Sequence, residues 1–436
     1  MNDTHDHWDD MPNTKILHGD CMQLLKTLPD CSIDAIVTDP PYGMSPDGIA
    51  RTWADIEEGR KLSGFMGKEW DAAVPCHNFF AECLRVLKHG GHMIAFSSTR
   101  TVCALGMAAQ KGGFVIRDMI HWCYFSGFPK SHDISKAIDR EAGAVREVIG
   151  QKTAGMMTKG SPFSSEKQRN EGYRPNWISE KENLTNKERQ LVSVTKPATQ
   201  DAQKWAGFGT ALKPAVEPAL LLRKPLEKGL SIAQNVLKHG TGALNIDACR
   251  FGYGDPCWVG PQEPYKDGDG RNTGSSTVAW GNNESMNTFM SKPHAQGRWP
   301  ANLYQCPKAS RSEREDGLDH LESMSGADVV DRKEGSAGLD NPRAGAGRTA
   351  NEVRNIHPTV KPIKLMRWCC RLVGGQKGSV ILDPFTGSGT TGAAALLEGF
   401  DFIGMELTDE YLPIIDGRIE AAKEQYKLEN AQLSLF

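Results

Sequence analysis

No two of the eleven cysteines stand in a C-x-x-C pair, and their number is odd. That pattern argues against a zinc site and against a disulfide framework, so a reducing cytoplasm is the expected compartment and no metal is expected. Also missing is any uncharged apolar run of membrane-spanning length, and residues 1–13 are polar and acidic where a signal peptide carries an apolar stretch. No membrane partner is expected. His5 and His7 read as part of a solvated tail. A large excess of charge is lacking too. The net charge is −3, so contact with nucleic acid has to come from a local concentration of Lys and Arg. Acidic side chains outnumber basic ones before residue 140, and the balance reverses between 141 and 238.

A chain of 436 residues exceeds what a single hydrophobic core usually holds, so one large domain with an insertion, or two domains, is expected. Three textures follow one another. Ile16-Leu17-His18 reads as a strand, 22–28 as a helical turn or two, and Ala35-Ile36-Val37-Thr38 as a buried strand, followed by a polar loop to about 71. Residues 79–87 have helical spacing and stop at Gly90-Gly91. Strand 92–96, a helix near 102–110 and one or two strands in 114–124 follow. This alternation is the signature of a mostly parallel sheet. From about 141 to 355 the regularity fades into Gly, Ser, Asn and Pro. Within it 150–200 and 252–297 read as loops, around a better ordered island with a strand at Leu220-Leu221-Leu222 and a helix at 230–237. Order returns with a helix over 363–373, a strand 379–382, a glycine turn, a helix 391–397, a strand 401–405 and a closing helix over 409–429. The expected organisation is a disordered tail over 1–14, one half of a sheet domain over 15–140, an insertion over 141–355 and the other half over 356–436.

The apolar strand 379–382 runs into Asp383-Pro384-Phe385-Thr386-Gly387-Ser388-Gly389-Thr390 and then a helix. Glycines between strand and helix let backbone approach a ligand, and open α/β sheets bind ligands at the carboxyl ends of their strands. About twenty residues later a second strand ends in Glu406, placed to accept hydrogen bonds from ribose hydroxyls. No lysine follows Gly389 as a phosphate loop requires, and although position 392 is glycine, the loop is preceded by Asp-Pro-Phe. The segment resembles the cofactor motif of amino-directed DNA methyltransferases, which implies S-adenosyl-L-methionine as cofactor. Gly240-Thr241-Gly242 has no apolar strand before it and reads as a helix stop.

Asp39-Pro40-Pro41-Tyr42 also follows a buried strand. The prolines fix φ and remove two N–H groups, giving a stiff turn. An exocyclic base amine is a poor nucleophile because its lone pair is delocalised into the ring. Hydrogen bonds from its two N–H groups to the Asp39 carboxylate and the Pro40 carbonyl would localise that lone pair, with Tyr42 as a stacking platform for a base taken out of the duplex. Such stacking contributes about 1–3 kcal/mol per base.

Taken together, these segments resemble the beta class of amino-directed DNA methyltransferases, in which the catalytic block precedes the cofactor block and a variable region between them carries target recognition. His357-Pro358-Thr359-Val360-Lys361-Pro362 looks like the family's lead into the cofactor helix, with Thr359 and Lys361 as cofactor residues. Gly19-Asp20 looks like the acid that contacts the cofactor's adenine, with capping of the next helix as the lesser reading of Asp20. Residues 126–131, with Lys130, and 209–214, with Lys213, are similar to a phage and prophage branch. The resemblance implies a Rossmann-like α/β sheet, circularly permuted, with a large irregular target-recognition insertion. It implies double-stranded DNA as partner, with Lys130, Lys213 and Arg298 as contacts, and leaves open a homodimer and a cognate restriction endonuclease. Trp299 reads as either a DNA contact or a core residue.

Asp at the first position of the tetrapeptide is, in the family, more usual for adenine N6 than for cytosine N4, so adenine is favoured and cytosine N4 is the alternative. RNA or protein amide methylation is disfavoured by Asp39 and by the long insertion. Cytosine C5 chemistry needs a nucleophilic cysteine after proline. Pro75-Cys76 and Pro256-Cys257 supply the dipeptide, but neither sits at a strand end beside an acidic activating motif.

Overall fold

A computed structural model describes residues 11–43, 52–53, 71–125, 127, 131–153, 191–252, 255–257, 297–325 and 352–433. Among them no helix is long and apolar enough to cross a membrane. The chain forms two compact units, one drawn from Met1–Phe125, Val216–His320 and His357–Phe436, the other from Ser126–Ala215 and Leu321–Ile356.

The first unit holds, in chain order, β1 (Thr14–His18), α1 (Cys21–Leu25), β2 (Ile33–Thr38), α2 (His77–Val86), β3 (Leu87–Phe96), α3 (Val102–Lys111), β4 (Val115–Cys123), β5 (Val216–Arg223), α4 (Ile232–His239), β6 (Leu303–Gln305), α5 (Arg311–Glu315), α6 (Ile363–Val373), β7 (Val380–Asp383), α7 (Thr390–Leu397), β8 (Asp401–Glu406) and α8 (Leu412–Leu433). Its eight strands make one sheet in the order β1-β8-β7-β2-β3-β5-β4-β6. Every pairing is parallel except the two that β5 makes, with β3 and β4. The strands from the two chain ends interleave, as a circular permutation requires.

Successive residues of the central strands alternate between two cores, as strand geometry dictates. Val37, Ile94 and Phe96 pack with Leu365, Met366 and Trp368 of α6, whereas Ile36, Met93 and Ala95 pack with Phe79, Phe80 and Leu105 of α2 and α3. Both faces of β2 are thus covered, which is why all six of its residues are buried.

Several expectations are corrected. Gly90-Gly91 does not end a helix: α2 stops at Val86 and the glycines lie inside β3. The register of β2 against β3 shifts there, and Gly90 has φ +81°. A Cβ on Gly90 would stand 2.6 Å from Asn235 Nδ2, so these glycines make a bulge over which α4 and its following turn close. Asn13 and Thr14 do not belong to the tail expected over 1–14, because Asn13 N donates to Asp401 Oδ1 at 2.7 Å, its carbonyl accepts from Phe402 N at 2.8 Å and Thr14 opens β1. Residues 1–10, with His5 and His7, lie outside the described residues. The insertion expected over 141–355 is divided: Val216–His320 belongs with the sheet, because β5 is the strand between β3 and β4. The closing helix starts at Leu412, after a short 3-10 turn Asp409–Tyr411. Gly240 does stop α4, at φ +74°.

In the second unit, helix Ile134–Glu141 presents buried Asp139, which accepts from Ala198 N and Thr199 N at 3.0 Å and pairs with Arg146. Strands Val148–Thr153 and Leu191–Thr195 pair antiparallel. Most of the loops expected over 150–200 and 252–297 lies outside the described residues.

Gly90→Ala, which combines a disfavoured φ with a clash against Asn235, is expected to cost about 1–3 kcal/mol. Thermal unfolding of the variant checks this, and an unchanged midpoint would refute the bulge as a required feature.

Candidate active site

The site lies at the carboxyl ends of β2 and β7, which pair in parallel with Ala35 opposite Ile381 and Ile36 opposite Leu382. The turns that follow the two strands therefore leave the sheet side by side. Thr38 Oγ1 donates to Asp383 Oδ1 at 2.6 Å, and Phe385 N donates to the same oxygen at 3.0 Å. Burial raises the Asp383 carboxyl to about 6 against these donors.

The loop after Asp383 takes its path from glycine. Gly387 and Gly389 have φ +56° and +77°, and a Cβ on Gly387 would stand 2.8 Å from His357 Nε2. His357 Nδ1 donates to the Thr359 carbonyl at 2.6 Å, which leaves Nε2 as the acceptor nitrogen, and burial lowers the imidazole to about 3. From α8, buried Arg418 donates to Ser388 O at 3.0 Å and to Thr390 Oγ1 at 2.9 Å. Glu406, at the end of β8, accepts from Gly387 N and from Thr408 N, each at 2.8 Å and each on a different oxygen. Each carboxylate oxygen retains capacity for a further donor such as a hydroxyl. Pro384, Gly389 and Thr390 are buried, and Phe385 packs its ring 5.1 Å from Phe79.

On the β2 side, Lys361 Nζ donates to Asp39 Oδ2 and, at 3.1 Å, to the Tyr42 hydroxyl. Among the described residues Asp39 Oδ1 is buried without a hydrogen-bond partner. Tyr42 donates to Glu217 Oε2 at 3.3 Å, Lys361 lies 3.5 Å from the same oxygen, and Lys308 holds Oε1 at 3.0 Å. The Lys361 ammonium sits 5.1 Å from the Phe96 ring centre, 5.3 Å from that of Tyr42 and 6.0 Å from that of Trp122. Burial alone would lower the Lys361 pKa, but the Asp39 and Glu217 carboxylates outweigh it and hold it raised. Burial likewise works to raise Glu217, yet Lys361 and Lys308 hold it lowered. Tyr42 is pushed well up by burial and then by Asp39 and Glu217, so it remains a protonated phenol.

The turns after β2 and β7 thus stand side by side, and a family model described as DNA methylase matches residues 33–416. The chain belongs to that DNA methylase family. Among its relatives, the type II methyltransferase M.HinfI of Haemophilus influenzae is 36% identical over 119 residues, 26% of this chain and 32% of that protein. The DNA adenine methyltransferase YhdJ of Escherichia coli is 42% identical over 66 residues, 15% of this chain and 22% of that protein. This chain thus spans a third or less of the length of these curated relatives. Among solved structures, the cytosine-N4-specific PvuII DNA methyltransferase aligns over 96% of this chain and 94% of its own at 13% identity, with a TM-score of 0.41.

Within this family member, the expected site residues separate into groups. Asp39, Pro40, Pro41 and Tyr42 lie beside the loop of Asp383, Pro384, Phe385, Gly387, Gly389 and Thr390, with Glu406 bonded to that loop. Lys361, expected with the cofactor residues, is placed instead on the Asp39 carboxylate. Asp20, expected with the cofactor residues, is exposed and caps α1, accepting from Gln23 N at 3.1 Å. Thr359 is exposed and offers its carbonyl to His357. Lys213 is exposed in the second unit and Arg298 is exposed in the first. Lys130 lies outside the described residues. Trp299 is 64% exposed with the Arg250 guanidinium 5.3 Å from its ring centre, so it is no core residue. Cys257 is buried and its thiol is pushed up to about 12 by that burial, the reverse of an activated nucleophile.

Sequence reasoning missed Glu217, Lys308, Trp122, Tyr124 and Arg418. Glu217 did carry a signal: it falls on the same strand face as buried Ala219 and Leu221, where a carboxylate has no business without a partner. Lys308 follows Cys306-Pro307 in an irregular stretch and carried none.

The raised Asp383 pKa has a consequence for stability. The folded state holds this proton more tightly than the unfolded chain, so its contribution is present below about 3.8 and is lost as pH rises through about 6. Asp383→Asn is expected to remove that loss, so wild type and variant should converge in acid, separate between about pH 3.8 and about 6 and stay apart above that in chemical denaturation. Parallel pH profiles for the two would contradict the assignment.

Proposed function

We propose that this chain transfers a methyl group from S-adenosyl-L-methionine to the N6 amine of adenine in double-stranded DNA. The observation that carries the reading is the Asp39 carboxylate, with Oδ2 held by Lys361 and buried Oδ1 left to accept from an incoming amine, at the end of a strand that pairs with the glycine-loop strand.

The residues on the loop side fit an adenosine-bearing cofactor. Gly387 and Gly389 keep side chains out of the turn, and Glu406 has acceptor capacity to spare for ribose hydroxyls. Bound there, S-adenosylmethionine supplies an electrophilic methyl group on its sulfonium. Asp39 Oδ1 then accepts one amine N–H and the Pro40 carbonyl the other, which draws the nitrogen toward tetrahedral geometry and frees its lone pair. The Tyr42 ring, tethered through its hydroxyl to Lys361 and Glu217, offers a fixed face for the base. Lys213 and Arg298, both exposed, are offered as phosphate contacts.

The same two acceptors would hold a cytosine N4 amine equally well. Adenine is favoured by Asp at position 39 and by the name of YhdJ, a DNA adenine methyltransferase. Nucleoside analysis of DNA treated with the purified protein and cofactor is expected to show N6-methyladenine. N4-methylcytosine without it would reverse the choice of base.

Asp39→Ala should lower turnover by about 100-fold or more while cofactor binding persists, because Lys361 keeps Glu217 as its counter-ion. Single-turnover methylation and calorimetric titration with cofactor test both halves. Near-normal turnover would remove Asp39 from the chemistry.

A further inference from the structure

We infer that Glu217 is a positioning residue of the methyl-transfer site, holding Lys361 and the Tyr42 hydroxyl so that Asp39 presents one free oxygen to the target amine. The inference rests on the function proposed above and names a part of the site supplied by β5, a strand from the middle of the chain.

Four charges alternate in one line: Asp39, Lys361, Glu217, Lys308. The inner lysine is shared. It binds Asp39 Oδ2 and lies 3.5 Å from Glu217 Oε2, so neither carboxylate holds it alone. Sharing matters because an ammonium committed wholly to Asp39 would draw its electron density and weaken Oδ1 as an acceptor for the amine. A Lys361 that lost its proton would leave the Asp39 carboxylate buried without a counter-charge. Glu217 opposes both failures, the first by competing for Lys361 and the second by keeping it charged.

Glu217 also fixes the platform. The Tyr42 hydroxyl has one proton to give and gives it to Glu217 Oε2, while Lys361 donates to its oxygen. The ring orientation is thereby set by hydrogen bonds from two elements that are remote in sequence. Outside this line, Lys308 lies 4.2 Å from the Tyr124 ring centre and Trp122 stands 5.1 Å from Tyr124, so the outer lysine is seated against an aromatic wall.

The groups that face Lys361 are Asp39 and Tyr42 from the turn after β2, Glu217 from β5 and His357 from the segment before α6, with Lys308 and Tyr124 beyond Glu217. Among these, His357 is held neutral by burial and Tyr42 protonated, so removing the Glu217 charge acts chiefly on Lys361. With one anion fewer beside it, Lys361 loses its proton at lower pH.

The test is steady-state and single-turnover methylation of duplex DNA by full-length wild type, Glu217→Gln, Glu217→Asp and Lys308→Gln across a pH series. Glu217→Gln is expected to lower kcat by about 10–100-fold, with KM for DNA and cofactor nearly unchanged and the alkaline limb of the profile moved to lower pH. Glu217→Asp should return the limb toward the wild-type position. Lys308→Gln, at a half-exposed side chain, should leave the limb at or above the wild-type position, since Glu217 then has Lys361 as its sole ammonium partner. Unchanged kcat in Glu217→Gln, a loss confined to KM, or a limb moved the same way by Glu217→Gln and Lys308→Gln would each overturn the inference. If Glu217→Gln fails to fold, the Lys308→Gln profile decides by itself: a limb moved to lower pH overturns the inference. Wild-type methylation in the same assay shows that the proposed function stands whichever way the variants fall.

Discussion

The parallel pairing of Ile33–Thr38 with Val380–Asp383 is the contact on which the rest of the first unit depends. The hydrogen bond from Thr38 to Asp383 closes a separation of 345 residues. Loop closure grows more costly only with the logarithm of length, so a long intervening chain is tolerated provided the strands it joins bury enough surface. They do. All six residues of Ile33–Thr38 are buried, and both faces of the sheet are covered by helices. Because the pairing is parallel, both following turns emerge at the same edge, and the side chains of one are delivered to the glycine loop of the other.

The charges at that edge are arranged to be tolerable as well as useful. Isolated ions in a buried pocket would be costly, whereas two carboxylates and two ammonium groups in alternation offset one another. Aromatic rings of Phe96, Tyr42 and Trp122 around the inner lysine exclude water from it and interact favourably with its charge. The asymmetry at Asp39, with one oxygen bound and the other unpartnered among the described residues, leaves the cluster one acceptor to offer.

The loop side works by a different economy of contacts. Here contacts to the loop backbone dominate: His357 packs against Gly387, Arg418 ties down Ser388 and Thr390, and Glu406 accepts two backbone N–H groups. A turn held from three directions is rigid before a ligand arrives, and that pre-organisation lowers the cost of binding.

Much of this was legible locally. Apolar runs and glycine punctuation located most of the strands and helices, and the two short motifs marked two turns that the fold brings together, because strand ends, prolines and glycines act on the backbone beside them. Gly90-Gly91 misled, since a glycine pair ends a helix or bulges a strand according to what packs over it, and Asn235 is 145 residues away. The pairing of Lys361 with Asp39 and Glu217 is not legible in sequence, since the three side chains come from segments far apart in the chain. The chain by itself determined which turns follow buried strands and what donors and acceptors each turn carries, through φ and periodicity. Only the tertiary structure decided which oxygen of Asp39 is free, because that depends on where a lysine 322 positions later is held, and a side chain's charge partners are set by packing rather than by neighbours in sequence.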